Sequence, residues 1–177
     1  MAPSIIRRLG PADAEVWRTI RLAALEGAPD AFGQTLENAA AQPLSHFAKA
    51  VAGPDPIFAA FAHAAAIGTA SVYTIAGPKT AHRGMLWGMY VAPAFRAHGV
   101  GGQLIDAVLE YSRGYFEQVH LRVVAGNAGA YALYRKQGFE AYGIEPRALC
   151  YKGRYHDEIM MVRMLGSKTI GAGGGHG

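Results

Sequence analysis

A chain of 177 residues, 51% hydrophobic and 17% charged, has apolar material for one sizeable core and too little length for two ordinary domains, which excludes a disordered or acidic-tail protein. Seventeen Lys and Arg against thirteen Asp and Glu give a net charge of +4 with no basic run, which disfavours bulk nucleic-acid binding and suits an anionic small ligand. Cys150 has no internal disulfide partner, and no stretch has the length of a spanning helix or the layout of a signal peptide, so the sequence reads as a cytoplasmic protein with neither membrane nor nucleic acid as partner.

Ile5 to Leu9 is β-prone, and Gly10-Pro11 stops it ahead of Ala12 to Glu26, where Val16, Ile20, Ala23 and Ala24 recur at helical spacing. Residues 27–30 read as a turn and 31–35 as irregular, before a short helix that opens near Pro43 and ends by Gly53-Pro54. Ile57 to Phe61 and Ile67 to Ile75 are β-prone runs of a hairpin-like meander, and Met85 to Val91 is a further strand closed by Pro93. From Gly101 to Phe116, Leu104, Ile105, Val108 and Leu109 share one face, the pattern of a helix packed on a sheet. Val119, Leu121 and Val123 then alternate with His120 and Arg122, and strand, helix and strand in that order imply a parallel pair. Asn127 begins a helix carrying Ala130, Tyr131 and Tyr134, and Gly138 stands where a left-handed cap stops it. Phe139 to Ile144 and Glu158 to Leu165 complete the strands. The domain is expected to span 1–166, and the glycine-rich stretch 167–177 to form a flexible tail.

The glycine-rich turn from Val91 to Gly102 lies between a predicted strand and the best-defined helix, where successive N–H groups and the positive end of the helix dipole can face one anion. No Lys-Ser/Thr pair follows the glycines, so it is not a nucleotide P-loop, and it lacks the third glycine of a dinucleotide fingerprint. Seven histidines form no His-x-x-x-His or comparable pair, which leaves no metal expected.

Arg96-Ala97-His98-Gly99-Val100-Gly101 resembles the Arg/Gln-x-x-Gly-x-Gly/Ala signature of the GCN5-related N-acetyltransferase (GNAT) family. Asn127, Ala130, Leu133, Tyr134, Gly138 and Phe139 match that family's Asn-x-x-Ala-x-x-Leu-Tyr-x-x-x-Gly-Phe helix. The resemblance implies an α/β (α+β) fold: a single domain with a central mixed sheet of six or seven strands flanked by helices. A splayed parallel pair of strands would hold the cosubstrate acetyl-CoA. It implies that Met89, Tyr90 and Val91 pair with the pantetheine arm, which Asn127 also meets, and that amides of Ala97, His98, Gly99, Val100, Gly101 and Gly102, with Arg96, hold the pyrophosphate. Most members carry glycine where Ala97 stands; alanine resists positive φ, so a slightly different loop is expected.

Within that frame, acetyl transfer proceeds by direct attack through a tetrahedral intermediate, with the Val91 amide receiving the oxyanion and Tyr134 protonating the departing thiolate. A tyrosine near pKa 10 and a thiol near 8.5 make full transfer uphill by about 2 kcal/mol. Many relatives place a glutamate in the fourth strand. The stretch 85–91 has no carboxylate, which leaves open loss of the acceptor amine's proton through water with help from Glu37, His46 or His82, or positioning of the amine by Tyr90 alone. Phe32, Leu36, Trp87 and Tyr90 are expected to line the acceptor side, where a cationic amine can pair with Glu37 or Asp157. These readings point to an N-acetyltransferase for a small-molecule primary amine. A non-catalytic acyl-CoA sensor or interaction module, or a transferase for protein N-termini or lysines, is the alternative, and a homodimer is compatible with either.

Overall fold

The computed structural model describes residues 4–166; the predicted tail at 167–177 lies outside them. Seven strands form one sheet in the order β1-β2-β3-β4-β5-β7-β6: β1 (Ile5–Arg8), β2 (Ile57–Ala62), β3 (Ala65–Thr74), β4 (Arg83–Val91), β5 (Gln118–Val124), β6 (Glu140–Tyr151) and β7 (Arg154–Met164). Neighbours are antiparallel except β4 and β5. The mixed seven-stranded sheet and its parallel pair agree with the expected fold class.

Helices cover both faces of the sheet. On one, α4 (Val100–Arg113) buries Val100, Leu104, Ile105, Val108 and Leu109 against Val72, Leu86, Val119 and Leu121, and Tyr134 of α5 (Ala128–Lys136) joins the same core. On the other, Trp17, Ile20 and Ala24 of α1 (Ala14–Gly27) and Phe47 and Val51 of α3 (Leu44–Ala52) meet Ile57, Ala59, Phe61 and Tyr90. A sheet clothed on both sides needs apolar residues on both faces of its central strands, as the uninterrupted buried run Ile67–Val72 in β3 illustrates.

Three expectations need correction. A short helix, α2 (Leu36–Ala40), was not foreseen; Thr35 caps it by accepting the Asn38 N–H at 3.2 Å. Strand β6 continues past Ile144 to Tyr151, and β7 begins at Arg154 rather than Glu158. The sequence hides this because Pro146 and Arg147 (φ +52°) sit in a register shift between Glu145 and Leu149, which breaks the alternation without ending the strand. Lys152 and Gly153, both at positive φ, then form the two-residue turn between Tyr151 and Arg154. Among the described residues no helix is long and apolar enough to cross a membrane.

One polar clasp joins β1 to α1. Arg7 donates two hydrogen bonds of 2.8 Å to Asp13, which also accepts the Gly10 N–H at 2.8 Å. The Arg7 hydrogen bonds hold the Asp13 carboxyl down from 3.8 to about 2. A folded pKa below the unfolded one means that this contribution is complete above the unfolded value and is lost as pH falls through the folded one. Asp13→Asn should therefore lower the urea midpoint at neutral pH, and the deficit should shrink as both proteins are measured at pH values falling from 3.8 toward about 2.

Candidate active site

Strands β4 and β5 pair only at Arg83–Gln118, Gly84–Val119 and Met85–His120. Beyond these three pairs the strands part, and the β4 edge facing β5 has no strand partner. A bulge marks the opening: β3 pairs Thr69 with Tyr90 and Ser71 with Trp87, leaving an extra residue in β4 at Gly88, whose φ is +63°. The buried Thr69 hydroxyl donates to the Gly88 carbonyl at 2.9 Å and fixes the bulge. On either side of it, Met89 and Val91 pack toward the α4 core while Trp87 and Tyr90 pack toward the α1 core.

The direction of the Val91 backbone follows from strand alternation. Ala92 N–H donates to Ile67 O at 2.8 Å, toward β3, so the preceding Val91 N–H and C=O turn to the open edge. There the Val91 carbonyl accepts from Arg96 Nε at 2.9 Å. The Val91 amide thus faces the gap as the resemblance implied, while one Arg96 nitrogen is engaged with its own loop.

In the loop, Ala97 takes φ +63° and Gly99 φ +81°, and Gly99 caps α4. The alanine adopts the positive φ after all, so the expected departure in loop shape is replaced by local strain. The first amides of α4 have no intrahelical acceptor and mark its positive end. Arg96, Ala97, Gly99, Gly101 and Gly102 line a cleft of about 1010 Å³ that also includes the β4 edge. His98 lies outside that lining, its Nδ1 2.7 Å from Arg96 O, and the Val100 side chain is buried in the core. At Gly101 a Cβ would stand 2.8 Å from Leu133 Cδ2, so α4 approaches α5 closely there and a side chain would push Leu133 aside.

Helix α5 brings Asn127, Ala130, Leu133 and Tyr134 to the cleft. Asn127 Oδ1 caps the helix by accepting Ala130 N–H at 3.2 Å, which leaves its amide nitrogen as a donor. Tyr134 is 5% exposed and edge-on to Phe139 at 6.0 Å, and burial pushes its phenol pKa up. Its hydroxyl has no hydrogen-bond partner among the described residues. Lys136, in the last turn of α5 and also on the lining, is a cation that sequence analysis did not single out.

On the side where the acceptor was expected, the lining comprises Arg21, Phe32, Tyr73, Trp87 and Tyr90, with Arg122 and Glu158. Leu36, Glu37 and Asp157 are not part of it, nor are His46 and His82. Asp157 instead accepts the Arg147 N–H at 2.7 Å and steadies the β6 bulge. Glu158 is the carboxylate that sequence reasoning missed: it pairs with Val124 at the open end of β5, 3.8 Å from Arg122, which also bonds Glu145. Desolvation pushes its pKa up, and Glu145 adds to the rise while Arg122 opposes it. An acid opposite the end of the parting strand was the available signal. Arg21, buried in α1, was missed because helical spacing assigns it no special role.

The model of the Acetyltransferase (GNAT) family matches residues 19–139. A GNAT acetyltransferase from Streptococcus pneumoniae superposes with a TM-score of 0.81 at 20% identity, over 93% of this chain and 100% of that one. The structure of yncA, a putative acetyltransferase from Salmonella typhimurium with its cofactor acetyl-CoA, gives 0.76 at 20% identity, over 95% and 97%. A ribosomal-protein-alanine N-acetyltransferase from Brucella melitensis gives 0.74 at 27% identity, over 90% and 99%. By sequence, 57 residues are 39% identical to the N-alpha-acetyltransferase RimI of Mycobacterium tuberculosis, 32% of this chain. That stretch and one shared with an uncharacterized Mycobacterium leprae protein span 35% and 15% of those two relatives' lengths.

The strain at Ala97 can be measured. A left-handed residue with a Cβ costs about 1–2 kcal/mol, from which the added chain entropy of glycine in the unfolded state subtracts part. Ala97→Gly should therefore raise stability by about 0.5–1 kcal/mol in urea titrations.

Proposed function

Because the chain belongs to the acetyltransferase (GNAT) family, we propose that it transfers an acetyl group from acetyl-CoA to the primary amine of a small molecule. The observation that carries this reading is one continuous cleft joining an anion-ready loop, an unpartnered strand edge and a pocket of aromatic and charged side chains.

The residues present suit acetyl-CoA. The open edge of β4 from Leu86 onward offers unpaired backbone groups to the amides of a pantetheine arm, as Asn127 offers its side-chain amide. The loop from Ala97 to Gly102, at the start of α4, turns small residues and free amides toward a pyrophosphate, and Arg96 and Lys136 add positive charge on the same lining. When bound, acetyl-CoA supplies an acetyl thioester, the electrophile of the reaction.

Two side chains manage the protons. The acceptor reaches the cleft largely as an ammonium, and Glu158, the only carboxylate among the described lining residues, receives its proton directly or through water. The freed amine would attack the thioester carbonyl; the C–N bond would form, the C–S bond would break, and the second proton shed by the attacking nitrogen would leave on the coenzyme A thiol. The Val91 N–H, aimed into the gap, steadies charge on the carbonyl oxygen. Tyr134, on the cleft lining as a neutral phenol, would serve the departing sulfur. Because burial raises its pKa, outright proton loss is harder than for an ordinary tyrosine, and its contribution is a hydrogen bond that strengthens as charge gathers on sulfur.

The likeness to RimI favours one second reading, acetylation of a protein N-terminus. Thiol release from acetyl-CoA with a panel of small amines and short peptides separates the two. Tight cofactor binding without turnover on either would mean a sensor.

Tyr134→Phe keeps the ring and loses the donor, so turnover should drop about tenfold or more, roughly 1.4 kcal/mol of barrier, with acetyl-CoA affinity nearly constant by calorimetry. Glu158 acts ionised, and desolvation raises its pKa, so kcat/KM should decline on the acid side above the usual carboxylate range. In Glu158→Gln that acid limb should vanish along with most of the turnover. A wild-type profile in the variant would remove Glu158 from the mechanism.

A further inference from the structure

Arg21 is only 7% exposed, yet it lines the cleft. Its Nε and Nη2 both donate to Gln34 Oε1, at 3.2 and 3.0 Å, which uses one edge of the guanidinium. The other edge, Nη1 with the second Nη2 hydrogen, has no partner among the described residues. The cation lies 5.0 Å from the Phe32 ring centroid and 5.5 Å from that of Trp87. No carboxylate of the described residues stands within salt-bridge distance of it. Desolvation lowers its pKa to about 10, so it stays charged at neutral pH. Beside it, the buried Trp87 Nε1 also lacks an acceptor.

A desolvated charge without a counter-ion is costly, and aromatic contacts offset only part of that cost. A purely structural buried arginine would be expected to meet a carboxylate of its own chain. The open edge of this one presents paired N–H bonds at the spacing of two carboxylate oxygens. Glu158 lines the same cleft and supplies the opposite charge. The wall as a whole therefore complements a molecule with an amine at one end and a carboxylate at the other.

We infer that Arg21 binds a carboxylate of the acceptor, and that the acceptor is a small amino acid, with the amine and the acid in one molecule. This rests on the acetyltransferase reading above. It excludes simple alkylamines as preferred acceptors, and peptide N-termini as well, whose first carbonyl is an uncharged amide.

The test compares each of a set of amino acids, the common α-amino acids with β-alanine and 4-aminobutyrate, with its own carboxamide. Thiol release is followed at saturating acetyl-CoA, and binding of the same probes to the coenzyme A-loaded protein is measured by calorimetry. The carboxamide is nearly isosteric and has the less basic amine, so a preference for the acid cannot come from easier deprotonation. At least one acid should exceed its carboxamide about tenfold or more in kcat/KM, and Arg21→Gln should bring that ratio near unity, with Arg21→Lys between them. Acetyl-CoA affinity and the melting midpoint show whether each variant is folded; if Arg21→Gln is not, the wild-type ratio and Arg21→Lys decide. A wild-type ratio at or below unity overturns the inference. So does a protein that binds acetyl-CoA yet neither acetylates nor binds any of these acids, and in that case the acetyl-CoA reading stands. Failure to bind acetyl-CoA at all would instead refute the function proposed above.

Discussion

The parting of β4 from β5 after three residue pairs is the feature on which the rest of the molecule depends. An unpaired strand edge inside a domain leaves backbone donors and acceptors without partners, a state that folded proteins avoid unless water or a ligand supplies the missing groups. Here the sheet tolerates the gap because each strand is held on its far side. Strand β4 is paired with β3 along its length, and β5 with β7 over seven residues from Gln118 to Val124. The cores on the two faces then clamp the sheet above and below the opening. The Gly88 bulge completes the arrangement, because the extra residue divides the side chains of β4 between the α1 core and the α4 core.

The loop from Ala97 to Gly102 depends on the same parting. It leaves the end of β4, tightens through two left-handed residues and releases its free amides at the start of α4. Arg96 ties the loop back to the strand through the Val91 carbonyl, a direct coupling of loop and open edge. The close approach of α4 to α5 at Gly101 extends that coupling to the helix carrying Tyr134. Strain at Ala97 is tolerated because the parts around it are fixed independently.

How far the sequence could be read depended on how local each determinant is. The amphipathic face of α4, the Asn127 cap and the left-handed stop at Gly138 are written in neighbouring residues, and the structure has them as expected. So is the pair of motifs that leads to the loop and Tyr134. The acceptor side was legible only in part. Phe32, Trp87 and Tyr90 reach the cleft, but Glu37 and Asp157 do not, because which acids face a cleft depends on strand register across distant segments. Pro146 and the bulge beside it hid the true length of β6 and with it the place of Glu158, opposite Val124. Nothing within α1 distinguishes Arg21 from an ordinary surface arginine until Phe32, Gln34 and Trp87, from other elements, close around it.

One physical cause, removal from water, acts on three ionisable groups of the cleft, with a different consequence for each. It favours the uncharged form in every case. For Tyr134 that keeps a donor in place at any physiological pH. For Glu158 it makes the carboxylate a better proton acceptor than a solvated one. For Arg21 the same effect is too small to neutralise the group at neutral pH, since its pKa falls only to about 10, so the charge persists without a counter-ion. A ligand that brought one carboxylate and one ammonium into this space would compensate the buried guanidinium and set its ammonium in the cleft that Glu158 lines, without changing the net charge of the cleft. A ligand with an amine alone would leave the buried guanidinium uncompensated. Discrimination of that kind comes from the cost of leaving a buried charge unpaired more than from the strength of any added contact.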